Sequence, residues 1–352
     1  MSDRVRLRQD ALRTACESIL TFHGVGAGDA GVTADVFMQA ELMGEESHGL
    51  RLFCQVVERI KAGGDRAETV ISVLSDRAAV AHWDANRSLG QVVAERAMRR
   101  AIEKARITGI GLVAVRNGNS LTSAKYYPLL AARQGMVGVT FTNTSRRLMA
   151  PPGGTAPVVG NNPVAYAAPA GRYGCFTLDM ACTTAAVERI IKAKEKGEEI
   201  PRGWALDREG RETTDPSRAL EAMSLLPFGG QKAFSLGVVH EILTSVLADG
   251  RIFGGGSSGF KPYDGAMNTA FTMLAIDIAA FQDPASFEAT MEEMIGRIKA
   301  TPKVEGGGEI LFPGERSQAE VERRMRDGIP LSGETLRAMN RLAEEAGLAR
   351  LN

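Results

Sequence analysis

The chain has 352 residues, which suggests roughly two domains. Its 42 Lys+Arg and 42 Asp+Glu cancel, so it has no basic excess to neutralise a phosphate backbone, and sequence-independent nucleic-acid binding is not expected. With 44% apolar and 24% charged residues it is neither disordered nor fibrous, no run of 18 apolar residues suggests a membrane span, and 39 glycines point to many tight turns and close backbone approaches.

The first segments read as helices over 5–22 and 32–43, joined by Gly24-Val25-Gly26-Ala27-Gly28. That turn is no dinucleotide fingerprint: Asp29 takes the place of the third glycine, and no strand precedes it. A third helix is expected over 50–61, where Leu52, Val56 and Ile60 recur every four residues. Residues 69–74 and 78–83 read as short strands. Leu89, Val93, Ala97, Ala101 and Ala105 mark a long amphipathic helix that Gly109 closes. A strand at 110–115, a helix at 123–133 and a strand at 136–141 then form a predicted βαβ unit. The stretch 142–163 is turn-rich, and so long an irregular segment inside a domain is usually functional. Strands at 164–168 and 176–180 and a helix at 184–197 follow. Gly229 and Gly230 lead into a helix over 232–248, a glycine-rich loop covers 254–259, and 271–278 is a strand. The tail is helical over 286–299, 317–327 and 333–346. Helices at both ends and an α/β body between them predict a helical layer built from the two termini (1–70 with 285–352) against a sheet domain (71–284).

Cys16, Cys54, Cys175 and Cys182 are scattered, so no disulfide framework or metal motif is expected. With no apolar leader at the N-terminus, this fits a reducing cytoplasm. Of the four histidines, His23 and His82 read as structural. His48 differs, because Glu45-Glu46-Ser47-His48-Gly49 is a polar turn between two apolar helices. A turn histidine beside a hydroxyl and near carboxylates suits proton transfer, although the same spacing also suits a capping or surface histidine.

Several motifs in order along the chain resemble those of the type 2 malate/L-lactate dehydrogenase family. They are Glu46-Ser47-His48-Gly49, Val113-Ala114-Val115-Arg116-Asn117, Pro151-Pro152-Gly153-Gly154, Gly160-Asn161-Asn162-Pro163, Leu178-Asp179-Met180-Ala181, Gly203-Trp204-Ala205-Leu206-Asp207, Thr213-Thr214-Asp215-Pro216, Leu225 through Lys232, and Phe312-Pro313-Gly314-Glu315-Arg316. The resemblance implies a non-Rossmann α/β domain on a large mixed sheet that binds NAD or NADP. It also implies a homodimer, and hydride transfer between nicotinamide and a small 2-oxo acid, 2-hydroxy acid or cyclic imino acid.

Residue by residue, it implies His48 as proton donor, Ser47 as the hydroxyl beside it and Asp207 as a nearby carboxylate. It places Ser120, Ser145, Asp179, Met180, Ala181, Gln231, Lys232, Pro313, Gly314 and Glu315 on the dinucleotide. Three positions depart from the family pattern, all toward the substrate. Leu52 stands where the family has a carboxylate-binding arginine, with Arg51 one residue earlier and about 100° away around a helix. Ser120 replaces a histidine, and Asn161 a threonine. The substrate carboxylate is therefore assigned to Arg51, Arg146 or Arg147, with Asn161 and Lys125 as further contacts. Lys125 also reads as an exposed helical lysine. A small-molecule oxidoreductase is the first reading. A dinucleotide-binding scaffold with altered or lost turnover is the alternative, favoured by Leu52 and Ser120.

Overall fold

The apolar stripe from Leu89 to Ala105 becomes the buried face of the helix Gly90–Thr108 in the computed structural model, which describes residues 4–254, 256 and 262–352. Gly109 stops that helix at φ 81°, a left-handed conformation in which a Cβ would be strained. The stripe lies on a seven-stranded mixed sheet, together with Trp83, Val113, Val115, Phe271 and Met273. The strand order is Ser72–Asp76, Val80–Asp84, Ile110–Gly118, Thr269–Asp277, Met136–Thr142, Val164–Pro169, Cys175–Met180.

The parallel neighbours are Val80–Asp84 and Ile110–Gly118, joined by the helix Gly90–Thr108. The βαβ unit therefore sits one strand earlier than the sequence suggests. Ile110–Gly118 and Met136–Thr142 do not touch, because Thr269–Asp277 runs between them and pairs antiparallel with both. That strand is buried along most of its length and reads as a nearly continuous apolar run.

The two chain ends share one core. Leu12, Phe37, Phe53, Met339 and Leu342 pack together from the helices Gln9–Phe22, Ala27–Leu42, Leu50–Lys61 and Gly333–Glu345. Residues 5–7 are not helical: Val5–Leu7 pairs antiparallel with Ile329–Leu331 and stitches the termini together. Val36, on Ala27–Leu42, belongs instead to the core under the sheet, so that helix joins the two layers. The helix Pro284–Lys299 packs elsewhere, with Ile295 against Ala170 and Phe312.

A smaller unit lies between these elements. Two-residue strands at Ala205–Leu206, Glu212–Thr213 and Ser224–Leu225 form a three-stranded sheet. It packs on the helices Val187–Lys196 and Pro216–Ala222 through Ile190, Ile200, Ala219 and Leu225. Strands this short leave no alternation to read in a sequence. The helix Gln231–Glu241 continues as a wider turn over Ile242–Val246. The expected glycine-rich loop at 254–259 falls outside the described residues except for Gly254 and Gly256. No helix of the described residues is long and apolar enough to cross a membrane.

Candidate active site

The site grows from the turn between Ala27–Leu42 and Leu50–Lys61. Gly44 reverses the chain at φ 79°, and Glu46–His48 form one tight helical turn. The next helix starts from Gly49, which has no side chain to cap it. The cap comes from the preceding helix: the Leu50 N–H donates to Glu41 Oε1 at 2.7 Å. A Cβ on residue 49 would lie 2.0 Å from that oxygen, so a side chain there would have to push the Glu41 carboxylate aside. His48 is exposed, and its Nδ1 lies 3.0 Å from Ser47 Oγ. If the hydroxyl donates to Nδ1, the ring proton sits on Nε2.

Two cavities meet at this imidazole. The smaller, about 290 Å³, is lined by Ser47, His48, Arg51, Leu52, Gln55, Ser120, Ser145, Arg146, Asn161 and Glu188, among others. The larger, about 750 Å³, shares Ser47, His48, Asn161 and Glu188 and extends past Asp179, Met180, Ala181 and Thr183 to Arg189, Lys192 and Arg316. A chamber sized for a small acid thus opens beside a cleft sized for a larger ligand.

Arg51 lines the chamber despite the helix-phase argument against it, because the chamber is wide enough to be walled by both Arg51 and Leu52. Its guanidinium pairs with Glu188 at 2.7 Å. Arg146 is half-buried in the same wall, its Nη2 3.7 Å from Met223 Sδ, and burial pulls its pKa below the usual arginine value. Asn161 Oδ1 and, in the cleft, Thr183 Oγ1 are buried without a hydrogen-bond partner among the described residues. The neighbouring Asn162 is anchored by Nδ2 on Gly237 O at 2.9 Å and on Glu241 Oε2 at 2.8 Å.

Asp179 is solvent-accessible on the cleft floor, yet protein crowds it closely. That desolvation, reinforced by the Glu45 carboxylate, holds its pKa above the usual carboxylate range; His48 and Lys125 oppose the shift. Lys125 is buried rather than an exposed helical lysine. Its ammonium pairs with Glu45 and lies 3.3 Å from Ser317 Oγ, while its backbone N–H donates to Asp179 Oδ2 at 3.1 Å. Ser123 Oγ donates to the other oxygen of Glu45 at 2.7 Å. Lys125 therefore braces the floor instead of lining it.

Other expected residues lie apart from both cavities. Asp207 is a turn carboxylate: it accepts the backbone N–H groups of Glu209 and Arg211, each at 3.0 Å, and pairs with Arg211 at 3.2 Å and Arg218 at 3.3 Å. Arg211 and the Glu209 N–H lower its pKa, the Arg211 backbone bond most strongly. Arg147 is exposed and donates through Nε to Phe253 O at 3.0 Å. Gln231 and Lys232 are exposed at a helix start. The Pro313 carbonyl accepts the Thr177 N–H at 3.1 Å, Gly314 abuts Thr177, and Glu315 pairs with Lys299. These contacts place the Pro313–Glu315 segment on the sheet edge and leave its neighbour Arg316 in the cleft wall.

Sequence reasoning missed Glu41, Glu188, Arg189 and Lys192, and it placed Glu45 near His48 without its partner Lys125. Glu188 precedes Lys192 by four residues and reads as a local helix pair, but it crosses to Arg51 instead. Among the described residues no group of three His, Cys, Asp or Glu side chains is placed to hold a metal ion.

A family model described as malate/L-lactate dehydrogenase matches residues 7–340. The chain is 36% identical over 336 residues to malate/(S)-sulfolactate dehydrogenase of Methanothermus fervidus, covering 96% of each. It is 38% identical over 329 residues to L-sulfolactate dehydrogenase of Methanothermobacter thermautotrophicus, covering 94% of each. The solved structure of sulfolactate dehydrogenase from Methanocaldococcus jannaschii superposes with a TM-score of 0.91 at 34% identity, over 98% of both chains.

Proposed function

This chain belongs to the malate/L-lactate dehydrogenase family and is an NAD(P)-dependent dehydrogenase of that family, and we propose that it moves a hydride between nicotinamide and a small 2-oxo or 2-hydroxy acid, or a cyclic imino acid, with His48 as its acid–base. The observation that carries this reading is the placement of His48 in the shared wall of the chamber and the cleft. A proton donor there faces both a small substrate and whatever supplies the hydride.

The larger cleft fits a dinucleotide. Arg189, Lys192 and Arg316 line it without a carboxylate partner among the described residues, and Thr183 Oγ1 and Asn161 Oδ1 offer buried, unused acceptors. Arg189 also stacks on Trp204, 5.2 Å from the ring centroid. Those cations would hold phosphate, and Asp179 would accept from a hydroxyl or amide. A bound NAD or NADP supplies or takes the hydride.

The chain's own residues handle the proton and the anion. Ser47 orients the imidazole through Nδ1. His48 gives its proton to the nascent alkoxide or amine, or takes it in the reverse direction. Arg146, with Arg51 behind its Glu188 partner, receives the substrate carboxylate. Malate and sulfolactate, which the relatives' names specify, are the first substrates to try.

We also propose a homodimer. Leu236, Val239, Ile242, Val246 and Leu247 leave an exposed apolar strip along one helix, the kind of surface a second copy covers.

The test is turnover of malate and sulfolactate with NAD and NADP by wild type and His48→Ala. The substitution is expected to abolish turnover and leave NADH or NADPH binding, followed by Trp204 fluorescence, unchanged. Turnover surviving in His48→Ala refutes the role of His48. Cofactor binding without turnover of any 2-oxo, 2-hydroxy or imino acid favours the binding scaffold.

A further inference from the structure

Position 41 carries a carboxylate where the fold has little tolerance for one. Glu41 is 3% exposed, and the residues around it in the helical core are mostly apolar. Its Oε1 takes the Leu50 N–H at 2.7 Å, and among the described residues its Oε2 has no hydrogen-bond partner. Leu50 itself is fully buried, so water cannot replace that acceptor. Arg324 reaches in from the helix Glu315–Asp327, donating to the Glu41 carbonyl at 2.8 Å with Nη1 3.6 Å from Oε2. Arg324 is itself 5% exposed and is also held by Glu320.

Only one residue separates Leu50 from His48. Between them Gly49 packs against Glu41 so closely that a Cβ would sit 2.0 Å from Oε1 and 2.5 Å from Cδ. The carboxylate is thus the hydrogen-bond acceptor for the backbone that carries the imidazole, and it fills the space that Gly49 leaves beside it.

We propose that Glu41 is the positioning residue of His48: from the preceding helix it fixes the Gly49–Leu50 backbone, and Arg324 fixes Glu41. This rests on the reading of His48 as the acid–base. The geometry makes reach the critical property. An aspartate keeps the charge but withdraws the acceptor by one methylene, whereas a glutamine keeps the acceptor and loses the charge. Displacing a catalytic group by about 1 Å can cost up to about 100-fold in rate.

Glu41→Asp and Glu41→Gln, with His48→Ala as reference, provide the test. Two readouts are taken on each: kcat and cofactor KM, and the NMR signal of the His48 C2 proton, which does not need turnover and is assigned by its loss in His48→Ala. Glu41→Asp is expected to lower kcat at least about 10-fold with cofactor KM within about 2-fold, and to shift the His48 signal. Glu41→Gln is expected to keep kcat within about 3-fold and leave the signal in place. A wild-type His48 signal and kcat in Glu41→Asp overturn the proposal. So does the reverse pattern, with Glu41→Gln impaired and Glu41→Asp intact, which would make charge rather than reach the essential property. Full turnover in His48→Ala removes the functional reading instead, whatever the Glu41 variants do.

Discussion

Burying Glu41 has a thermodynamic consequence that can be measured without any substrate. Desolvation raises its carboxyl from an ordinary 4.5 to about 7 in the folded chain, against the opposing Leu50 N–H and Arg324 and with a small further push from Glu46. The charged groups facing it are Arg324, Glu46 and Arg4, with Glu320 on the far side of Arg324 and the neutral thiol of Cys16 nearby. Between pH 4.5 and 7 the folded state holds this proton and the unfolded state does not. Stability therefore falls as pH rises through that window, and the full penalty is present above it. A shift of this size is worth about 3 kcal/mol at pH 8. Glutamine cannot ionise, so Glu41→Gln should gain on wild type as pH rises. At roughly 2.1 cal/mol/K of unfolding entropy per residue, 3 kcal/mol corresponds to about 4 °C in midpoint for a chain of this length. The assay is thermal unfolding of both proteins from pH 5 to pH 8, followed by tryptophan fluorescence. Other groups titrate in the same range or lower, among them Asp65, also raised, and Glu320, lowered to about 2 by Arg323 and Arg324. Taking the difference between the two proteins cancels most of these. A midpoint difference that stays flat across that range, or that widens toward acid, refutes the argument.

Other outcomes follow from the same geometry. Arg146→Met should raise the substrate KM about 30-fold, on the order of 2 kcal/mol for a lost charged hydrogen bond, with cofactor KM unchanged; steady-state kinetics read this directly. Lys125→Met removes a cation that lowers the Asp179 pKa, so that carboxyl should move further up, visible by carbon NMR of labelled aspartate. Leu236→Asp with Val239→Asp should convert the proposed dimer to monomer in light scattering, since both side chains are more than two-fifths exposed on the apolar strip.

What the sequence could disclose depended on how local each cause was. The stripe from Leu89 to Ala105 and the glycine that ends its helix are local, and they appear where the periodicity puts them. Ser47 and His48 are equally local, two polar residues in a turn flanked by apolar helices. The central strand Thr269–Asp277 is legible as a strand, but its insertion between Ile110–Gly118 and Met136–Thr142 is a pairing across more than a hundred residues. Asp207 shows the opposite limit. Its motif is present, yet two arginines and two backbone N–H groups use its oxygens, so residue type and spacing alone do not report where a carboxylate's bonding capacity goes.

Arg51 and Glu41 show why the interior of the site is the hardest part to read. A helical phase argument treats each position as a direction, and by that measure Arg51 turns away from the place Leu52 faces. A chamber with walls on several sides accepts both, and Glu188, 137 residues away, then decides what the guanidinium does. Glu41 sits nine residues before the N–H that it caps, and this spacing follows neither the helical nor the strand repeat. It arises only because Gly44 reverses the chain and Gly49 leaves room for the carboxylate. Both glycines are visible in the sequence, but the oxygen that fills the space beside the second one is not. The arrangement of this candidate site therefore depends on neighbours that only folding supplies, and exchanging side chains at Leu52, Ser120 and Asn161, where a departure from the family pattern is expected, should not by itself transfer a relative's substrate preference in a comparison of kcat/KM on malate and sulfolactate.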